Sequence, residues 1–389
     1  MMIVRVVLVV WAVLGFWGCA DEATEPQPEG SLPPFDEAAC ASLEAPTVQT
    51  RAFATGPTNN TVTVDGQHAW IVHSGNNTVG RLTLPDGPYE AAFVDVGNDR
   101  GPWDLALTDE ALVVTHFVSD SISLHDRTTG QRLAEHVEPP IPAPTGVAQA
   151  EGVVVVAASN FVGPGFGAGQ VHVLRIEGQG LRHVGSLQTS ALNPLDVVYD
   201  PARRRFLVVC AGEVAFEPAT EAFKPVSGGA VDVLGLDALL GGALEGALET
   251  SVALPLSAEL PFAGNPRTLV MAPGGDVGYL PSGSAPHLYK LDLETLEVLR
   301  GPDDPIVVYL GDGNQLTGFA LRPDGVGYVT AFNQDALYLF DSQCDASVAG
   351  PFGLGDAALL EGPLDVAYDP ATQRALVLMS VSSFVTVVR

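Results

Sequence analysis

Carboxylate and amide side chains recur where strand-like segments begin along this chain. Oxygen donors of these types bind hard metal ions, and a metal held by several of them can activate water for hydrolysis. The residues that share this position are Asp104, Asn193, Asp196, Asn265, Glu361 and Asp365. Aspartates at such positions also form structural hydrogen bonds in repeat proteins, so the pattern leaves both roles open.

Two histidines end neighbouring strand-like segments, His73 and His116. Imidazole is a common metal ligand, and this pair beside Asp104 or Asp120 would suit a metal site. The alternative is that both are polar side chains at strand ends. No metalloprotease, nucleophile-elbow, Cys-x-x-Cys or EF-hand motif accompanies them. The sequence therefore assigns no catalytic residue and leaves any metal or cofactor unknown.

Two long glycine-containing loops carry aromatic side chains, and the second also carries acidic ones. The loop at 159–170 contains Phe161 and Phe166, and the loop at 212–229 contains Glu213, Phe216 and Phe223. Binding residues concentrate on loops that a rigid scaffold holds. Polar residues of nearby connections complete the predicted ligand-binding set: Asn193, Asn265 and Arg267. The alternative is that the loops only cover the core.

These residues must be positioned by a repeated unit. Seven times a turn residue, usually next to proline, precedes an alternating apolar run, at intervals of roughly 40–50 residues with one longer gap. A turn, a strand rich in β-branched residues, a second alternating strand and a weaker fourth strand follow. The runs occupy 56–64, 101–107, 143–148, 193–199, 265–271, 315–321 and 362–368. The pattern predicts an all-β fold, a seven-bladed β-propeller of four-stranded antiparallel blades.

One segment carries a family resemblance. Residues 322–331, Arg-Pro-Asp-Gly-Val-Gly-Tyr-Val-Thr-Ala, are similar to the signature of the YVTN family of seven-bladed propellers, with Ala331 where that signature has Asn. The resemblance spans residues 45–389. It implies an exported bacterial propeller and says little about activity, because the family is functionally mixed.

The last repeat lacks a fourth strand, and residues 48–53 are predicted to supply it and close the ring. Cys210 ends a strand predicted to be buried and is interpreted as an inert thiol. Cys40 precedes the closing strand and Cys344 lies in the sixth repeat. Because an exported protein permits disulfides, we predict a Cys40–Cys344 disulfide that fastens the N-terminal segment to the ring.

The first residues have the features of an export signal. Arg5 precedes an apolar run at 6–16 that is shorter than the about 20 residues of a transmembrane helix. Gly18-Cys19 resembles a lipobox, which predicts a signal peptide at 1–18, lipidation of Cys19 and a disordered, Pro- and Glu-rich tether at 19–44. Cleavage after Ala20 is the alternative, and both interpretations export the protein.

The charge balance restricts the partners. The chain of 389 residues has a formal charge of −28 and only two lysines, which disfavours nucleic acid and anionic lipid surfaces as partners. We predict a monomeric outer-membrane lipoprotein facing the periplasm or the cell surface, which binds a protein or glycan and reaches the membrane only through its lipid. The alternative is a propeller enzyme, either a lactonase-like metal-dependent hydrolase or a quinoprotein-like dehydrogenase.

Overall fold

The structure is a computed structural model that describes residues 43, 45–163, 165–217, 222–310, 315–355 and 360–389. The predicted signal peptide, Cys19, the tether and Cys40 lie outside the described residues. Within them, no helix is both long and apolar enough to cross a membrane.

Seven sheets, each with a path of four antiparallel strands, follow one another along the chain. Blade 1 contains β2 (Asn59–Val64), β3 (His68–His73), β4 (Thr78–Thr83) and β5 (Tyr89–Asp95). Blade 2 contains β6 (Pro102–Leu107), β7 (Ala111–His116), β8 (Ser121–Asp126) and β9 (Arg132–His136). Blade 3 contains β10 (Pro144–Ala150), β11 (Val153–Ala158), β12 (Gln170–Glu177) and β13 (Gly180–Gln188).

Blades 4 and 5 depart from the regular pattern. Blade 4 contains β14 (Pro194–Asp200), β15 (Arg205–Cys210), β18 (Gly229–Gly235) and β19 (Leu248–Leu254), with the short helix α1 (Leu236–Leu240) after β18. The predicted 212–229 loop is a hairpin of β16 (Val214–Glu217) and β17 (Ala222–Pro225), which pair only with each other. Blade 5 contains β20 (Val270–Met271), β21 (Val277–Pro281), β22 (His287–Asp292) and β23 (Val298–Arg300), and β24 (Ile306–Val307) also pairs with β22.

The ring closes where both ends of the described chain meet. Blade 6 contains β25 (Leu316–Leu321), β26 (Val326–Ala331), the 3-10 turn η1 (Phe332–Gln334), β27 (Ala336–Asp341) and β28 (Ala346–Gly353). Blade 7 contains β29 (Pro363–Asp369), β30 (Arg374–Met379), β31 (Phe384–Val388) and, as its fourth strand, β1 (Val48–Ala54). β1 pairs with β31 from Val48 opposite Val388 to Ala54 opposite Phe384. The predicted fold, blade number and closing strand are confirmed.

The core lies between blades. Second strands such as β11, Val-Val-Val-Val-Ala-Ala, are buried along their whole length because blades cover both of their faces. Among the described residues, seven apolar clusters each join one adjacent pair of blades, including the cluster of blades 7 and 1 that contains Val62 and Val385. Burial of apolar area at every junction therefore stabilises the closed ring.

Two cysteines are placed by the fold. Cys210 is a fully buried free thiol at the end of β15, and burial raises its pKa, as expected of an inert core cysteine. Cys344 lies in the turn between β27 and β28 and is disulfide-bonded. Its sulfur partner lies outside the described residues, so the pairing with Cys40 stays a prediction.

Candidate functional site

Two kinds of loop meet on one face of the ring. In each blade, a backbone N–H just after the second strand donates to the carbonyl of a residue at or just before the start of the first strand. The seven bonds join Ser74 to Thr58, Phe117 to Gly101, Ser159 to Ala143, Ala211 to Asn193, Gly283 to Asn265, Phe332 to Gln315 and Ser380 to Gly362. The loops between second and third strands and the inter-blade connections therefore surround one mouth of the central channel.

The two asparagines of this set have a backbone reason for their identity. Asn193 and Asn265 have φ of 54° and 52°, in the left-handed region that asparagine and glycine tolerate better than other residues. The equivalent positions in blades 2 and 7 are glycines, Gly101 and Gly362. This turn favours asparagine whatever hydrogen bonds its amide group makes.

A cavity of about 180 Å³ opens at this channel mouth, and we call it the channel compartment. Its apolar wall is formed mainly by Trp103, Phe117, Leu195, Phe319 and Leu364. Its charged lining among the described residues consists of three carboxyl groups and one guanidinium, Asp104, Asp196, Asp365 and Arg267.

Each carboxyl group of the channel compartment bonds to the following blade. Asp104 accepts from the Val147 N–H at 3.0 Å, joining blades 2 and 3. Asp196 accepts from the Thr268 hydroxyl, joining blades 4 and 5. Asp365 accepts from the Val62 N–H at 2.9 Å, joining blades 7 and 1. We call these the inter-blade carboxyl groups; their hydrogen bonds give them a structural role.

Burial sets the protonation of these groups. It raises the pKa of Asp104 to about 8, with a further increase from the nearby charge of Asp196. Burial also raises the pKa of Asp365 to about 6 and that of Asp196, although hydrogen bonds from the next blade partly oppose both increases. At neutral pH Asp104 is therefore largely protonated, which reduces the negative charge in the channel.

Arg267 is the cation of this site. Its aliphatic stem passes over Gly283, where an added Cβ would come within 3.0 Å of Cγ and Cδ of the arginine. No described residue accepts a hydrogen bond from its guanidinium or forms an ion pair with it. Burial lowers its pKa to about 10, opposed by the charge of Asp365, so the group stays charged at neutral pH.

A second cavity of about 40 Å³ adjoins the first and shares Trp103, Phe117, Leu195 and Arg267 with it. We call it the loop compartment, because the blade-three loop and the blade-four hairpin form one side of it. Its aromatic rings are in contact: Trp103 and Phe117 centroids are 5.1 Å apart, Phe117 and Phe161 6.3 Å, and Phe161 and Phe166 5.4 Å.

Two amide side chains in the loop compartment lack hydrogen-bond partners. Asn193 and Gln315 are each 6 % exposed, and their carbonyl oxygens bond to no described residue. Asn265, by contrast, donates to the Ser284 hydroxyl at 2.9 Å. A buried amide without a partner is costly, so these groups are available to a ligand.

The structure brings most of the predicted binding residues together. Six of the eight line the loop compartment: Phe161, Phe166, Asn193, Phe223, Asn265 and Arg267. Glu213 and Phe216 do not; the Glu213 N–H bonds to Ser227, and Phe216 packs on Phe223 with 44 % of its surface exposed. Sequence reasoning missed Phe117, whose only signal is its place directly after a second strand.

The other candidates lie elsewhere. Glu361 is buried and pairs with Arg51 beside the closing strand, outside both compartments. His73 bonds to Thr78 and Tyr89 and His116 to Ser123, each within its own blade. In the part of the chain that the structure describes, no three His, Cys, Asp or Glu side chains are arranged to hold a metal ion.

Solved structures share this architecture. A streptogramin B lyase matches with a TM-score of 0.63 at 9% identity, over 88% of this chain and 97% of that one. Hydrazine synthase of Kuenenia stuttgartiensis matches with a TM-score of 0.58 at 16% identity, over 86% and 96%. The Cps50 (Swd1) propeller domain of Myceliophteria thermophila matches with a TM-score of 0.58 at 10% identity, over 86% and 97%.

This chain is a seven-bladed β-propeller. At these identities the matches show the fold alone, because the matched propellers include two enzymes, a lyase and a synthase, as well as the Swd1 propeller domain. No protein-family model and no curated protein matches the chain, so the YVTN resemblance stays a prediction.

Proposed function

We propose that this propeller is an exported, lipid-anchored binding protein that takes a small, partly aromatic group into the joined channel and loop compartments. The observation that carries the proposal is that Arg267, Asn193 and Gln315 line one cavity beside an aromatic wall. None of the three side chains has a hydrogen-bond partner among the described residues. Ligand sites combine such a wall with a few convergent polar groups.

Binding is favoured over catalysis because the best candidate catalytic groups already have another role. Asp104, Asp196 and Asp365 accept hydrogen bonds from the next blade, which orients their carboxyl groups along the ring. The unpartnered groups are instead an arginine and two amides, which recognise ligands more often than they transfer protons. A protein or glycan partner, as the sequence predicts, would present one suitable side group to this cleft.

A matched pair of tryptophan variants tests the proposal. Leu195 borders both compartments, so Leu195→Trp should fill their junction, whereas Leu299→Trp places the same change on an exposed position of the outer strand β23. Ligand-observed NMR with a set of small aromatic and aliphatic fragments of both charge signs is the measurement. We expect fragments that bind the unmodified protein and Leu299→Trp but not a folded Leu195→Trp.

Two outcomes would contradict the binding function. One is that no fragment binds at millimolar concentration. The other is that Leu195→Trp, with an unchanged melting temperature, binds the same fragments with the same affinity, which would place them away from the cleft.

A further inference from the structure

The charged group of the loop compartment that lacks a partner is positive, which favours an anionic ligand. Arg267 is the single charged side chain among the described residues that line the loop compartment. Arg267 is partly buried, and a partly buried guanidinium without an acceptor carries a desolvation cost that an anionic partner offsets. An acceptor with two oxygens in one plane suits the guanidinium fork best.

The carboxyl groups of the channel compartment do not require a cation, because they already accept hydrogen bonds. Asp365 accepts from the Thr61 hydroxyl at 3.0 Å as well as from the Val62 and Val366 N–H groups. Asp196 accepts from the Val197 N–H at 2.8 Å and from Thr268. Their oxygens already have donors, whereas the guanidinium has no acceptor, so the unmet interaction is with an anion.

The rest of the cleft favours a flat apolar body. The channel compartment, at about 180 Å³, exceeds the about 150 Å³ of an apolar cavity that takes benzene. The rings of Trp103 and Phe117 lie 5.1 Å apart with an interplanar angle of 31°, and both border the two compartments. An aromatic ring against this pair can therefore carry a short acidic arm toward Arg267.

The two unpartnered amides can bind polar substituents on the aromatic ring of the ligand. Asn193 and Gln315 come from blades 4 and 6 and both line the loop compartment with Arg267. Each amide offers a donor and an acceptor, so the conclusion holds for either orientation of the amide.

We propose that the cleft binds an aromatic carboxylic acid, with the carboxylate on Arg267, the ring against Trp103 and Phe117, and ring substituents bonded to Asn193 and Gln315. This inference rests on the proposed binding function and names the chemical class of its ligand.

Three probes that share one ring and differ only in the head group test this class: phenylacetate, 2-phenylethanol and 2-phenylethylamine. Calorimetric titration of the full chain at pH 7 should show the tightest binding for phenylacetate. Arg267→Met should weaken phenylacetate binding about 10- to 100-fold, the range of a charge-assisted hydrogen bond, and leave the alcohol unchanged. Arg182→Met, which removes an exposed arginine of β13 that pairs with Glu177 of β12, is the matched control and should change nothing.

We expect Arg267→Met to fold, because the Arg267 guanidinium bonds to no described residue and the substitution removes no hydrogen bond. If Arg267→Met does not fold, Arg267→Lys keeps the charge without the planar fork and should give a smaller loss for phenylacetate alone. The inference is overturned if phenylacetate does not bind, if the alcohol or the amine binds as tightly, or if the folded variants bind phenylacetate normally. The binding function itself fails only if the broader fragment set finds no ligand that Leu195→Trp excludes.

Discussion

Replacing Asp104 by asparagine should make the stability of the ring less sensitive to pH. In the unfolded chain an aspartate is ionised above its ordinary pKa of 3.8, whereas in the ring burial keeps Asp104 protonated up to a pKa of about 8. The unmodified protein therefore loses stability as the pH rises between these values. The asparagine side chain of the variant cannot ionise, and its amide oxygen can still accept from the Val147 N–H.

The structure sets the size of the effect. From pH 5 to a pKa of about 8, at about 1.36 kcal/mol per pH unit, the upper limit is about 4 kcal/mol. Because Asp104 faces a channel that reaches solvent, water screens part of its charge, and we expect Asp104→Asn to gain about 1–3 kcal/mol relative to the unmodified protein between pH 5 and pH 9.

Urea unfolding followed by circular dichroism at pH 5, 7 and 9 measures this gain, provided that the slope of the transition is unchanged. Asp126→Asn is the control, because it removes the same charge from an exposed turn where hydrogen bonds from Thr129 lower the pKa of the carboxyl. Its effect on stability should be nearly the same at pH 5, 7 and 9. If both variants show the same pH dependence, the argument from burial is wrong.

Three further predictions concern other parts of the chain. Cys19→Ser should move the protein from membrane to soluble fractions, and unchanged fractionation would refute lipid anchoring. Deletion through Ala54 removes β1 and exposes the edge of β31, so it should cause aggregation in light scattering, whereas deletion of 21–35 should leave the protein monomeric. Replacing Val214–Pro225 by a short Gly-Ser turn should keep the melting temperature, since this hairpin pairs only with itself, but weaken phenylacetate binding; a large loss of stability would show that the hairpin is part of the core.

The fold was predictable because its signals are local and repeated. The turn residue before each first strand and the β-branched second strand recur in every blade, and the predicted 362–368 run is offset by one residue from the observed β29 (Pro363–Asp369). The one marked departure is blade 5, where a strand over 265–271 was predicted but only Val270–Met271 is paired in a strand. Pro266 lacks an N–H for the ladder and makes a single bridge to Ser282.

The candidate site was predictable only in outline. Loop length indicated the face on which both cavities open, and Arg267, Asn193 and Asn265 were identified by type. Sequence could not show which of these lacks a partner, because that depends on tertiary packing. Asn265 donates to Ser284 of its own blade, whereas the side-chain carbonyl oxygens of Asn193 and Gln315 have no partner in the loop compartment. Likewise, the hydrogen bond from Val147 that gives Asp104 its structural role crosses between blades.

The pairing of β1 with β31 also sets an orientation. β31 runs from the mouth of the cleft, at Phe384, to the opposite face of the disc, so its partner β1 begins at Val48 on that opposite face. Residues 45–47 therefore approach β1 from that opposite face, and Cys344, in the turn after β27, lies on the same side. If Cys19 carries the lipid, as proposed, the tether joins the ring on the face opposite the cleft, so the point of attachment leaves the cleft open to a ligand from the surrounding fluid.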